Sequence, residues 1–221
     1  MSLPAAPITA ELLRKYDRPG PRYTSYPTAI EFHAGVGETE YKTRLGMADA
    51  RAEEPLSIYT HLPFCEERCT FCGCHVVITA RRERASEYLG YLGREVDLVA
   101  RQIPHRRKVA QYHWGGGTPT YYSPGELRQL HQTFLDRFEI LPGAEVAIEV
   151  DPRVTSHEHV DVLRDLGFNR ISMGVQDFTP EVQAIINRYQ DEQGTRDLFA
   201  HCRKQGFQSI NIDLIYGLPL Q

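Results

Sequence analysis

From residue 56 onward, short β-branched runs alternate with stretches in which apolar residues return every three or four positions. The run 56–62 (Leu-Ser-Ile-Tyr-Thr-His-Leu) predicts a strand. Tyr88, Leu92, Val96, Val99 and Ile103 then mark one face of a helix over 84–103. A second strand is expected at 109–114. Its helix opens at Ser123-Pro124-Gly125-Glu126, a capping box with proline at the first helical position, and carries Leu127, Leu130, Phe134 and Phe138. A third strand, 145–150, precedes a helix that Thr155 and Glu158 are expected to cap, with Val160, Leu163 and Leu166 on one face and Gly167 as its stop. A fourth strand falls at 170–175. Helix over 179–206, broken near Gly194, leads to a fifth strand at 209–216.

Strand and helix in alternation imply a parallel sheet with right-handed crossovers, either doubly wound or barrel-like. The polar residues choose between these. Cysteines follow the first strand and Gly115-Gly116-Gly117-Thr118 the second. Glu149 and Asp151 end the third, Gln176 and Asp177 the fourth, and Asp213 lies in the fifth. Reactive groups at the C-terminal end of every strand describe the top of a βα barrel, whereas a doubly wound sheet gathers ligands at one switch point. The sequence stops at Gly217-Leu-Pro-Leu-Gln221, with no further strand to close a barrel and no cover for the last edge. The expected fold is therefore α/β, an incomplete (β/α) partial barrel over 56–221 truncated after its fifth strand. An N-terminal arm with short helices precedes it over 1–55, and the chain reads as a fragment of a longer protein.

Composition narrows the function. With 221 residues and 41% hydrophobic content, the chain can bury a substantial core. A net charge of −4 offers no general attraction to nucleic acid or anionic membrane. The short basic runs 81–84 and 105–108 read as solvated helix ends. No apolar stretch is long enough to span a bilayer and the first ten residues lack a signal-peptide pattern, so a cytoplasmic location is expected. Four of the five cysteines fall within ten residues, unlike a disulfide framework, which also fits a reducing compartment. Cys202 reads as a small buried apolar residue.

Those four cysteines carry the chemistry. In His61-Leu-Pro-Phe-Cys65-Glu-Glu-Arg-Cys69-Thr-Phe-Cys72-Gly-Cys74, the CxxxCxxC spacing lets three thiolates hold three irons of a cubane cluster. The fourth iron is then free to bind a small molecule through oxygen and nitrogen. A structural zinc site is the competing reading, but such sites usually take ligand pairs from two separated loops. The glycine loop either offers backbone N–H groups to a ligand or permits close backbone approach.

The chain resembles the radical S-adenosylmethionine enzymes and, within them, the oxygen-independent coproporphyrinogen III oxidase family. The resemblance rests on Gly20-Pro-Arg-Tyr-Thr-Ser-Tyr-Pro-Thr28, Tyr59-Thr-His-Leu-Pro-Phe-Cys65, Phe71-Cys-Gly-Cys74, His113-Trp-Gly-Gly-Gly-Thr-Pro-Thr120, Ile148-Glu-Val-Asp-Pro-Arg153, Ser172-Met-Gly-Val-Gln-Asp-Phe178 and Asn211-Ile-Asp-Leu-Ile-Tyr-Gly-Leu-Pro219. It implies a [4Fe–4S] cluster on Cys65, Cys69 and Cys72. S-adenosylmethionine would chelate the open iron and be cleaved to a 5′-deoxyadenosyl radical. In this family that radical acts on two propionate side chains of coproporphyrinogen III, which become the vinyl groups of protoporphyrinogen IX.

The same resemblance assigns contacts to the cluster-bound S-adenosylmethionine to Tyr59, Gly116 and Glu149. It assigns contacts to a second molecule of this cofactor to Phe71, Gly117, Thr118, Gln176, Arg188 and Asp213. Arg188 is expected to pair with a carboxylate, its alternative being a surface ion pair. Asp213 stands in an otherwise apolar strand, where an unpaired buried carboxylate would be costly. Cys74 is expected not to be a ligand, and it and His61 are supporting candidates. Arg22, Tyr23 and Tyr26 of the arm either reach toward substrate carboxylates or strap the exterior. Implied partners are coproporphyrinogen III, an electron donor and an electron acceptor, with the protein a monomer that binds neither nucleic acid nor membrane. The alternatives are a related haem carrier without this turnover and a zinc-bound interaction module.

Overall fold

The computed structural model describes residues 8–17 and 28–221, in two compact units that divide after Tyr41. In the first unit, helix α1 (Ala10–Tyr16) is capped by Thr9, whose hydroxyl oxygen accepts from the Leu12 N–H. A 3₁₀ turn follows at Ala29–Glu31, and α2 (Glu38–Asp49) runs through the division, its residues from 42 onward counted with the second unit. Arg22, Tyr23 and Tyr26 lie outside the described residues.

The second unit is built on five parallel strands. These are β1 (Leu56–Leu62), β4 (Lys108–Gly116), β5 (Glu139–Val150), β6 (Arg170–Gln176) and β7 (Ser209–Leu214), adjacent in that order. Each crossover advances to the next strand and none reverses. This is the progression of a βα barrel, and a doubly wound sheet would have a switch point. The sheet is open, with β1 at one edge and β7 at the other. Between β1 and β4, two short strands, β2 (Phe64–Cys65) and β3 (Val77–Ile78), pair in parallel and close the cysteine loop.

The helices are α3 (Arg82–Gln102), α4 (Pro124–Leu135), α5 (His157–Asp165), α6 (Pro180–Ile186) and α7 (Glu192–Lys204). Alternate residues along a strand face opposite sides of the sheet, and here the sides differ in kind. Tyr112, Trp114, Ile148, Ile171 and Met173 are buried in one core with Leu92, Leu127, Phe134, Leu163 and Phe168. The intervening positions carry cross-strand polar contacts: Ser57 to Gln111, Arg170 to Glu145, and Ser172 to Asp213. One face is thus packed and the other is polar.

Local signals account for most helix ends. Ser123 and Glu126 form the expected capping box, with Pro124 at N1. Gly167, at φ +89, stops α5, and its N–H bonds the Arg164 carbonyl. Three expectations change. The cap of α5 is Ser156 with His159, because Thr155 is buried and donates its hydroxyl to the Asp151 carbonyl at 2.7 Å. The long helix breaks before Gly194: Asn187 takes the left-handed conformation, Asp191 becomes the next N-cap, and the Gly194 N–H donates to the Asp191 carboxylate. The basic runs are only partly solvated. Arg106 is buried, donating to the carbonyls of Ala48, Glu54 and Pro55, and Arg82 stacks on Tyr121 with its carbon 3.8 Å from the ring centre. Cys202 is buried as expected.

Candidate cluster and cofactor site

At the C-terminal ends of the strands lies one open cavity of about 260 Å³. It is lined by Cys65, Cys69, Phe71, Cys72, Cys74, Gly116, Gly117, Thr118, Glu149, Gln176, Arg188 and Asp213, residues spread over 149 positions of sequence from 65 to 213. Tyr59 and His61 are not among the lining residues, and Tyr59 is exposed.

The cysteine loop is held at both ends. Val77 N–H donates to the Pro63 carbonyl and Thr79 N–H to that of Cys65. His61 Nε2 donates to the His75 carbonyl at 2.9 Å, which leaves Nδ1 to accept from Tyr59 Oη at 3.1 Å. Tyr59 in turn stacks on His113, with ring centres 5.7 Å apart. His113 Nε2 donates to Glu149 Oε1 and the Gly116 N–H to Oε2, both at 3.3 Å. The bond from His113 holds the Glu149 carboxyl below its ordinary pKa, and the bond from Gly116 acts in the same direction. Glu149 is therefore an ionised, oriented acceptor at neutral pH.

Of the two readings of the glycine loop, close approach is the one realised. A Cβ at Gly117 would stand 2.6 Å from the Pro63 carbonyl oxygen, one at Gly115 2.9 Å from the Glu149 carboxylate, and Gly116 has φ +120. The Gly117 and Thr118 N–H groups donate to the carbonyls of Leu62 and Phe64. These N–H groups are already engaged, and their bonds seat the loop against the cysteines.

Arg188 is 6% exposed, so it is no surface ion pair. Its Nη1 lies 3.0 Å from Asp151 Oδ2 and 3.5 Å from Cys69 Sγ, and Nη2 donates to the Gly174 carbonyl. Asp151 also takes Arg153, whose Nη2 donates to Oδ2 at 2.7 Å. Burial alone would raise the Asp151 pKa. The bonds and charges of Arg153 and Arg188 outweigh it and hold the carboxyl below its ordinary value. Asp213 is not the buried carboxylate expected: on the edge strand it is exposed, and it accepts from Ser172 and Asn211 at 3.0 and 2.6 Å. Gln176 has φ 70, a strained conformation for a non-glycine residue, at the rim of the cavity.

Pattern reading passed over His113 and Arg153. The first sits two residues before the glycine loop and is the cross-strand partner of Tyr59; the second follows Asp151 by two. Both stand within the motif segments quoted above, but the contacts of His113 to Tyr59 and Glu149 and of Arg153 to Cys69 come from other segments.

A cubane offers its thiolate ligands three different irons, so they stand farther apart than the ligands of one ion. Cys65, Cys69 and Cys72 share one cavity wall. Three thiols facing one cavity are a donor set of the kind that holds a [4Fe–4S] cluster.

Residues 59–221 match the Radical SAM superfamily. The chain belongs to that superfamily. Membership implies a [4Fe–4S] cluster and S-adenosylmethionine as cofactors. The chain is 46% identical over 215 residues to the oxygen-independent coproporphyrinogen III oxidase of Pseudomonas aeruginosa, covering 96% of this chain and 46% of that protein. The enzyme of the same name from Synechocystis is 40% identical over 220 residues, 100% of this chain and 47% of that one. The solved structure of coproporphyrinogen III oxidase from Escherichia coli, described as a radical SAM enzyme, superimposes with a TM-score of 0.84 at 47% identity, over 95% of this chain and 46% of that chain. The chain thus spans about half the length of the relatives it matches. No described helix is long and apolar enough to cross a membrane.

Proposed function

We propose that this chain forms the cofactor-binding part of an oxygen-independent coproporphyrinogen III oxidase, acting in the cytoplasm in haem biosynthesis. The observation that carries the reading is the convergence of Cys65, Cys69 and Cys72 with Glu149, Gln176, Arg188 and Asp213 on one cavity, in a radical SAM chain with the oxidase relatives described above.

In this reading Cys65, Cys69 and Cys72 hold the cluster, and Cys74 stands in the cavity as a neighbour. When bound, the cluster and S-adenosylmethionine supply the radical that removes hydrogen from a propionate, whose loss of carbon dioxide and one electron leaves a vinyl group. Glu149, ionised and fixed by His113 and Gly116, accepts from the cofactor's ammonium or ribose hydroxyls. Tyr59 and Gly116 join Glu149 around the cluster-bound S-adenosylmethionine, with Tyr59 stacked on His113 and bonded to His61, which ties to the His75 carbonyl. Phe71, Gly117, Thr118, Gln176, Arg188 and Asp213 surround a second S-adenosylmethionine. The two Asp213 donors, Ser172 and Asn211, keep its carboxylate oriented toward that molecule.

The test is anaerobic turnover of the complete protein with coproporphyrinogen III, a reductant, an electron acceptor and S-adenosylmethionine, following vinyl product and 5′-deoxyadenosine. Formation of protoporphyrinogen IX is expected. Haem binding with no vinyl product would point to a carrier and overturn the oxidase reading.

A further inference from the structure

The three thiols sit in unequal surroundings. Cys65 Sγ meets the Thr118 hydroxyl at 3.4 Å. Cys69 is 8% exposed and meets two guanidinium groups, Arg188 Nη1 at 3.5 Å and Arg153 Nη2 at 3.8 Å. Both arginines are anchored on one carboxylate. Asp151, 6% exposed, accepts from Arg153 Nε at 3.0 and 3.1 Å and Nη2 at 2.7 Å, with Arg188 Nη1 at 3.0 Å. The Arg153 backbone N–H adds a further bond to Asp151 Oδ1 at 3.0 Å, so the two side chains close on each other across Pro152.

The guanidinium groups of Arg153 and Arg188 set positive charge directly against Cys69, offset by buried Asp151 and, 4.0 Å from Arg153 and largely exposed, by Glu67. Guanidinium does not lose its proton in proteins, so that charge is permanent. The low exposure of the two side chains, 18% for Arg153 and 7% for Arg188, reduces solvent screening. Reduction of a thiolate-ligated cluster adds one negative charge, which a nearby cation and N–H donors to sulfur stabilise. Arg188 already has a place in the cofactor reading, whereas Arg153 has none. Among the described residues, the carboxylates within 4.0 Å of it are Asp151 and, at that limit, Glu67.

We propose that Arg153 is a positioning residue that tunes the cluster: anchored by Asp151 and acting through Cys69, it makes the cluster easier to reduce. This rests on the reading of Cys65, Cys69 and Cys72 as cluster ligands. The cationic group would matter most before S-adenosylmethionine cleavage, when the electron has to reach the cluster.

The experiment uses the complete protein, reconstituted anaerobically with iron and sulfide, and no S-adenosylmethionine. The reduced-cluster spin signal is followed in a potentiometric titration. Arg153→Gln is expected to shift the reduction equilibrium about tenfold toward the oxidised form, about 59 mV downward for a one-electron couple. Arg153→Lys, which keeps the charge, should recover most of that shift, and Asp151→Asn should move the potential the opposite way. A merely structural role would not reverse the sign. An unchanged potential in Arg153→Gln at full cluster content overturns the proposal, as does a shift of the same sign in Arg153→Gln and Asp151→Asn. If Arg153→Gln loses its cluster, Asp151→Asn decides: an upward shift supports the proposal, and none or a downward one overturns it. An unsubstituted protein that takes up no cluster overturns the ligand assignment and this proposal together. A cluster-bearing protein with flat potentials overturns the tuning alone.

Discussion

His61 Nε2 donates to the carbonyl oxygen of His75 across 2.9 Å, joining the end of β1 to the far side of the cysteine loop. The same ring accepts from Tyr59 through Nδ1. His61→Leu removes both bonds at roughly constant size, at about 0.5–1.5 kcal/mol for each. A urea unfolding series should give a stability lower by about 1–3 kcal/mol, with less iron retained per chain. An unaltered midpoint with full iron would mean the loop keeps its shape without this tie.

Gly117→Ala should be far more damaging than Gly73→Ala. The first would set a methyl 2.6–2.8 Å from backbone atoms of Pro63 and Phe64, whereas nothing lies within 4 Å of the second. Overpacking against backbone costs about 1–3 kcal/mol. Thermal unfolding of the two variants side by side is the check, and equal melting temperatures would contradict the close-approach account.

Among the cysteines, Cys65→Ala should abolish S-adenosylmethionine cleavage, and Cys74→Ala should leave the cluster assembled. Iron and sulfide per chain after anaerobic reconstitution separate the two. Loss of iron from the Cys74 variant would mean that the three-ligand assignment is wrong.

Glu149→Gln keeps the side-chain shape and removes its charge. A charge-assisted hydrogen bond is about twice as strong as a neutral one, so S-adenosylmethionine should bind about tenfold more weakly, roughly 1.4 kcal/mol. Anaerobic calorimetry on the cluster-bearing protein measures this. Unchanged affinity would remove Glu149 from the cofactor's contacts.

His131 is buried, 5% exposed, beside Tyr112, Trp114 and Phe168. Burial depresses its pKa from 6.5 to about 4. The unfolded chain therefore binds this proton first. The contribution of the neutral ring is full above about pH 6.5 and is lost progressively as pH falls through about 4, on the order of 3 kcal/mol in all. His131→Leu should flatten the stability profile between pH 7 and 4. Parallel profiles for the two proteins would show that His131 is not the group responsible.

The strand and helix sequence was legible because each element has its own local cause. The period of apolar residues, the Ser123/Glu126 box and Gly167 need no distant partner. Where a local signal had a competitor, contacts chose: Thr155 yielded the cap to Ser156 because the Asp151 carbonyl took its hydroxyl. Arg106 likewise reads as a surface charge until the carbonyls of residues 48–55 are placed around it.

Sequence alone determined the alternating strands and helices, the three-cysteine spacing and the polar residues at successive strand ends, since all of these follow from periodicity and local chemistry. Tertiary structure decided the partnerships. Residues 69, 151, 153 and 188 meet only because parallel strands bring their C-terminal ends to one rim, and that meeting turns Arg188 from a possible surface ion into a buried cation against Cys69. It also decided that Asp213 is an exposed, hydrogen-bonded carboxylate, because its strand lies at the open edge of the sheet. Burial and charge pairing are properties of neighbours in space, and no local pattern encodes them.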